Sequence, residues 1–72
     1  MKQDESRLFE ALRDRHISGT DYLGDSTFDI SERLGIPNEV ATQYVLKWAD
    51  RGWYDYGMRP LFGWLTPQGL AQ

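Results

Sequence analysis

The chain has 72 residues, 40% of them hydrophobic and 14% aromatic, which is enough for one small domain with a single core. It has no cysteine, and this excludes a disulfide framework and a zinc–thiolate site. Its formal charge of −3 argues against strongly electrostatic binding to nucleic acid, although residues 33–72 carry four bases and only three acids.

The first predicted helix covers about residues 4–16. Asp4 and Glu5 favour a helix start, and the apolar face that follows comprises Leu8, Phe9, Ala11 and Leu12. This N-terminal segment lacks the apolar run of a signal peptide, and no stretch of the chain approaches the ~20 apolar residues of a membrane span. We therefore expect a cytoplasmic protein with no membrane partner.

A loop is predicted over residues 17–27, because Ser18 and Gly19 interrupt the helical pattern. Three side chains are expected to anchor this loop to the core: Ile17, Tyr22 and Leu23. We also consider a short strand at residues 25–27 that pairs with a hairpin predicted further along the chain.

The second predicted helix is short and covers about residues 28–34. Thr27 is its expected cap, since a threonine hydroxyl can accept a hydrogen bond from a free backbone N–H group. Ile30 and Leu34 then lie four residues apart on one apolar face. Gly35 ends the helix, because glycine adopts a left-handed conformation without a Cβ clash.

The third predicted helix covers about residues 38–51 and ends before Gly52. Two starts are open, since Asn38 is the better capping side chain but Pro37 also fits as the first helical residue. Helical spacing predicts an inward stripe and an outward face. The inward stripe comprises Ala41, Val45 and Trp48, and the outward face comprises Glu39, Thr42, Gln43, Leu46 and Lys47.

A β-hairpin is predicted at about residues 53–65, with strands at 53–56 and 61–65 around a turn at 57–60. Thr66 and Pro67 then favour the cap and first residue of a final helical turn. The hairpin carries four aromatic residues beyond those expected in the core: Tyr54, Tyr56, Phe62 and Trp64. They either stiffen the ribbon by cross-strand packing or form a docking surface for a second subunit or another protein.

Three segments resemble the winged helix-turn-helix DNA-binding family of prokaryotic and phage regulators: ISERLGIP, VATQYVLKWADRGWY and GWLTPQG. The resemblance covers about residues 27–69. It implies an α+β fold in one domain, with three helices and a two- to three-stranded β-wing at residues 53–65. It also implies that Trp53 and Leu65 point into the core and that residues 38–51 form the recognition helix.

From this resemblance we expect sequence-specific binding to double-stranded DNA, as a small transcriptional regulator that acts as a dimer. Amide side chains can pair with an adenine edge, Lys47 can reach guanine or phosphate, and Arg59 at the wing tip is placed for a backbone or minor-groove contact. The expected DNA-binding residues are Asn38, Thr42, Gln43, Lys47 and Arg59. Glu39 and Leu46 are unusual for a groove-facing helix.

The alternative is a winged helix that binds another protein and not DNA, with Leu46, Val40 and the aromatic wing as the contact surface. The acidic charge favours this alternative. The sequence predicts no catalytic residues, metal site or cofactor. It has a single histidine, His16, and no glycine-rich phosphate loop, so most catalytic constellations cannot be assembled.

Overall fold

The computed structural model describes residues 2–19 and 24–72. Its elements are α1 (Gln3–Ile17), α2 (Thr27–Arg33), α3 (Asn38–Asp50), β1 (Tyr54–Tyr56), β2 (Gly63–Leu65) and α4 (Pro67–Leu70). The fold is therefore α+β, with three main helices and a two-stranded antiparallel sheet in one body about 25 Å across.

Helix α1 places one face against the rest of the molecule. That face is not purely apolar: it comprises Glu5, Leu8, Phe9, Leu12 and Arg15. Ile17, the last residue of α1, is 74% exposed, so the prediction that it anchors the following loop is wrong. The other two predicted anchors, Tyr22 and Leu23, lie outside the described residues.

Helix α2 is capped by Ser26, and not by Thr27 as the sequence predicts. The Ser26 hydroxyl accepts a hydrogen bond from the Asp29 N–H group at 3.1 Å, and the Asp29 carboxylate accepts one from the Ser26 N–H group at 3.3 Å. These reciprocal bonds form a capping box. Thr27 is instead fully buried, and its hydroxyl pairs with the Tyr54 hydroxyl at 3.0 Å.

The turn between α2 and α3 is built on Gly35, which has a φ of +75° and so occupies the left-handed region predicted for it. Pro37, rather than Asn38, occupies the position before α3. The predicted inward stripe is confirmed, since Ala41, Val45 and Trp48 are all 0% exposed. The Phe9 ring of α1 meets the Trp48 ring edge-on, with centroids 5.0 Å apart.

The hairpin pairs Tyr54 with Leu65, Asp55 with Trp64 and Tyr56 with Gly63. Within the part of the chain that the structure describes, the strand considered at residues 25–27 does not form. Helix α2 already begins at Thr27. One backbone hydrogen bond joins the start of α2 to the hairpin, from the Phe28 N–H group to the Leu61 carbonyl at 3.0 Å.

The final helical turn has the predicted cap, since the Thr66 hydroxyl accepts from the Gly69 N–H group at 3.0 Å. Leu65 is buried as the resemblance implies, whereas Trp53 is only half-buried and packs edge-on against Phe9. Trp53 therefore lies at the border of the core.

Candidate nucleic-acid interface

Helix α3 lies between α1 on one flank and the hairpin on the other, which leaves its outer face open. Four exposed residues form this outer face: Glu39, Gln43, Leu46 and Asp50. They recur at intervals of three and four residues and so form one stripe, opposite Ala41, Val45 and Trp48. Any ligand that approaches α3 from outside meets this stripe first.

The structure distributes the five predicted DNA-binding residues over three environments. Asn38 and Gln43 are exposed on α3, as a base-contacting residue requires. Thr42 is half-buried beside the hairpin, where it shares a groove with Arg59. The Lys47 side chain is partly exposed, but its amine contacts Glu5 of α1.

The amine of Lys47 forms an ion pair with the carboxylate of Glu5 in α1. The Lys47 Nζ atom is 2.9 Å from Glu5 Oε1 and 2.8 Å from Oε2, and the Trp48 indole donates to the same carboxylate at 2.8 Å. The Glu5 side chain is 1% exposed, whereas that of Lys47 is 44% exposed. Glu5 therefore joins the first turn of α1 to the last two turns of α3.

Two opposing effects act on the pKa of Glu5. Burial alone raises the pKa of this carboxyl, but the hydrogen bonds from Lys47 and Trp48 and the positive charge of Lys47 outweigh that effect. The net result is a pKa below its ordinary value of 4.5, so the carboxylate is ionised at neutral pH and compensates the charge of Lys47.

The Glu5–Lys47 ion pair is not among the sequence predictions, although the sequence contains one indication that Glu5 is buried. Glu5 lies three and seven residues before Leu8 and Leu12, which places it on the apolar face of α1 rather than on its solvated side. Arg15 continues the same face three residues after Leu12, and it is also buried. A charged residue in register with an apolar stripe indicates a buried charge that has a partner.

Arg15 has a structural role close to the hairpin. Its guanidinium donates to the Asp25 carbonyl at 3.0 Å and to the Gly63 carbonyl at 2.7 Å, which ties the end of α1 to the start of α2 and to β2. Because these bonds occupy a buried side chain, we do not count Arg15 among the cations available to a ligand.

A groove of about 380 Å³ separates α3 from the loop of the hairpin. Its lining comprises Phe28, Thr42, Arg59, Pro60, Leu61 and Phe62. The Phe28 and Phe62 rings lie nearly parallel, with an interplanar angle of 9° and centroids 6.3 Å apart, and the Arg59 guanidinium lies 6.0 Å from the Phe62 centroid. Among the described residues Arg59 forms no ion pair, so its charge is available to an anion.

The aromatic residues predicted as a protein interface do not share one surface. Tyr54 is 3% exposed, and its hydroxyl accepts from the Gly63 N–H group at 2.9 Å and donates to the Pro60 carbonyl at 2.7 Å. Its inclusion in an interface is therefore wrong, because it holds the hairpin loop from inside. Tyr56 and Trp64 are half-buried, and only Phe62 is extensively exposed, at 49%.

The charge of the α3 surface is less favourable to DNA than the sequence suggests. Glu39 and Asp50 lie on the outer face, and the single cation of α3, Lys47, is compensated by Glu5. Two arginines without an ion pair among the described residues flank this face: Arg51, which follows α3 directly, and Arg59 in the hairpin loop. Positive charge is thus present beside α3 rather than on it.

No family model, curated protein or solved structure matches this chain. In residues 2–19 and 24–72, no three side chains of the metal-ligating types are grouped to hold an ion, and no helix has the length and apolar character to cross a membrane. The geometry of α3 and the hairpin is therefore the basis on which a function is proposed.

Proposed function

We propose that this protein is a winged helix-turn-helix domain that binds double-stranded DNA with α3 and the hairpin. The observation that carries the proposal is the α2–turn–α3 unit around Gly35. It buries Ala41, Val45 and Trp48 and directs polar residues of α3 outward, next to a hairpin with an available arginine. A helix exposed in this way fits the major groove of B-form DNA, and a hairpin beside it can follow the adjacent backbone.

The contacts follow from the chemistry of the exposed groups. The amides of Asn38 and Gln43 can each donate to and accept from an adenine edge in the major groove. The Thr42 hydroxyl and the Arg59 guanidinium line one groove, and both can bind phosphate oxygens of one strand. Base contacts therefore belong to α3, and phosphate contacts belong mainly to the α3–hairpin groove.

The available charge predicts weak, mildly salt-dependent binding by a single copy. Each neutralised phosphate contributes a slope of about −0.9 to log K against log salt, so two arginines predict a slope near −2 for one copy. Specific regulators achieve higher affinity by placing two copies on two half-sites. We therefore propose that the protein acts as a transcriptional regulator in dimeric form on DNA.

The direct test is fluorescence anisotropy with labelled genomic DNA fragments at low salt. Replacing Arg59 by Ala removes one phosphate contact, and we expect the affinity to fall about fivefold to tenfold and the salt slope to decrease by about 0.9. Arg33→Ala is the matched control, since Arg33 pairs with Asp25 and lines a cavity between α1 and α2 to which α3 contributes no residue. An equal loss in both variants, or no DNA binding by the unmodified protein, contradicts the proposal.

A second candidate is a protein-binding winged helix. The acidic outer face of α3 favours it, as do three exposed apolar side chains on α3 and the hairpin loop: Leu46 at 41%, Phe62 at 49% and Met58 at 99%. Two kinds of experiment discriminate DNA binding from protein binding. A heparin column and a gel shift detect DNA binding, and co-sedimentation with cell extract detects a protein partner. Retention by DNA supports the first candidate, and a protein complex without DNA retention supports the second.

A further inference from the structure

We propose that Glu5 is a positioning residue that holds Lys47 against α1 and so keeps the single cation of α3 off the DNA. This inference rests on the proposed DNA binding and assigns the restraint of Lys47 to one carboxylate. Its consequence is that the protein binds DNA more weakly than the residues of α3 alone predict.

The geometry makes the restraint strong. Both carboxylate oxygens of Glu5 lie within 2.9 Å of the Lys47 amine, so the amine contacts the carboxylate through two oxygens at once. The Trp48 indole donates to Oε2 at 2.8 Å and fixes the carboxylate in turn. Since Trp48 is 0% exposed, the acceptor cannot follow the amine outward without disturbing the core.

For a second reason, it is unfavourable for the Lys47 amine to leave Glu5 and bind a DNA phosphate instead. Once Lys47 leaves, the Glu5 carboxylate keeps the Trp48 indole as its side-chain donor but loses its counter-charge. A buried ion that loses its counter-charge is costly, whereas the gain from a solvated phosphate contact is small. The Lys47 amine also lies 6.0 Å from the centre of the Tyr44 ring, a contact that favours the inward position.

The Glu5 carboxylate accepts a hydrogen bond from Trp48 and pairs with the charge of Lys47, and the substitution Glu5→Gln separates these two functions. The glutamine oxygen can still accept from Trp48, while the charge that holds Lys47 is removed. A released Lys47 adds about one phosphate contact, so we expect the salt slope to steepen by about 0.9 and the affinity near 0.1 M salt to rise about eightfold. In the Glu5→Gln, Lys47→Ala double variant, slope and affinity should return to the wild-type values.

Glu10→Gln is the matched control, because it removes the same charge from an exposed position of α1 where Glu10 pairs with Arg13. If Glu10→Gln raises the affinity as much as Glu5→Gln does, net charge explains the result and the proposal is overturned. An unchanged slope in a folded Glu5→Gln protein that binds DNA also overturns it. Absence of DNA binding in every variant instead refutes the proposed function itself.

A second readout does not involve DNA. The chain has two lysines, Lys2 and Lys47, so acylation of each amine can be followed separately by mass spectrometry. We expect Lys47 to react more slowly than the exposed Lys2 in the wild type and to approach its rate in Glu5→Gln. Equal rates in the wild type would show that Glu5 does not restrain Lys47.

Discussion

At the scale of single residues, the molecule depends on a few buried polar side chains, each with a defined set of partners. Tyr54 donates to one carbonyl of the hairpin loop and accepts from the Gly63 N–H group. Burial raises the pKa of its phenol, with the hydrogen bond to Thr27 opposing the shift, so the group stays protonated and keeps its donor. Glu5 has the opposite shift, since its partners favour the charged form.

The lowered pKa of Glu5 predicts an acid-sensitive contribution to stability. A carboxyl whose pKa is lower in the folded state than in the unfolded state stabilises the fold above the unfolded value, and the contribution is lost as pH falls through the folded value. We therefore expect the stability difference between wild type and Glu5→Gln to be largest near neutral pH and to shrink below about pH 4.5.

Urea denaturation of both proteins between pH 7 and pH 3 measures this difference. Glu10→Gln reports the effect of removing an exposed carboxylate from the same helix. A difference between wild type and Glu5→Gln that stays constant over this range would mean that the Lys47 and Trp48 bonds do not depend on the ionisation of Glu5.

At the scale of elements, the hairpin is held by its contacts with the helices more than by its own ladder, which is three residues long on each strand. Gly63 is central to these contacts. Its carbonyl accepts from Arg15 at 2.7 Å, its N–H group donates to Tyr54, and its register partner is Tyr56. The hairpin loop, and with it Arg59, is thereby placed next to α3.

Gly63→Ala should disrupt this arrangement. A Cβ atom at this position would lie 2.1 Å from the Asp55 carbonyl oxygen, and since that atom belongs to the backbone the strand itself must shift. We expect a loss of stability of about 2–3 kcal/mol, measured by urea denaturation, because overpacking at a rigid contact has a cost of this size. Gly57→Ala is the control: its Cβ would have no neighbour within 4 Å, and the expected change is within about 0.5 kcal/mol. An equal loss of stability in the two variants would contradict the close approach of Gly63 to the Asp55 backbone.

Across the whole molecule, one side chain joins three of the elements, α1, α3 and β1. Trp48 of α3 is fully buried, packs edge-on against Phe9 of α1, lies 6.3 Å from the Tyr54 ring of β1 and donates to Glu5. A chain of this length has a total stability of about 4–11 kcal/mol, so the loss of a single large contact is a sizeable fraction of it.

Trp48→Ala should therefore leave little stability. Removing a buried tryptophan has a typical cost of about 3–5 kcal/mol, and we expect a large decrease in the melting temperature or an unfolded chain by circular dichroism. Phe62→Ala removes another aromatic ring, but one that is 49% exposed, and it should cost much less. Comparable losses in the two variants would mean that Trp48 is not the centre of the core.

The features that depend on short spacings could be predicted from the amino-acid sequence. The stripe of Ala41, Val45 and Trp48 follows from helical periodicity, and the turn at Gly35 follows from the conformational freedom of glycine. The cap of α4 by Thr66 is also a local pattern. These features involve residues within a few positions of each other, so no knowledge of the remaining chain is needed.

Which polar groups are available at the candidate site depends on contacts between distant parts of the folded chain. Lys47 lies on the predicted outer side of α3, but its amine is bound by a carboxylate 42 positions earlier in the chain. Tyr54 is buried because Thr27 and the hairpin loop supply partners for its hydroxyl. Ser26 caps α2, while Thr27 is the first helical residue and contacts Tyr54. The physical reason is the same in each case: burial of a polar group depends on partners that folding brings together from distant parts of the chain.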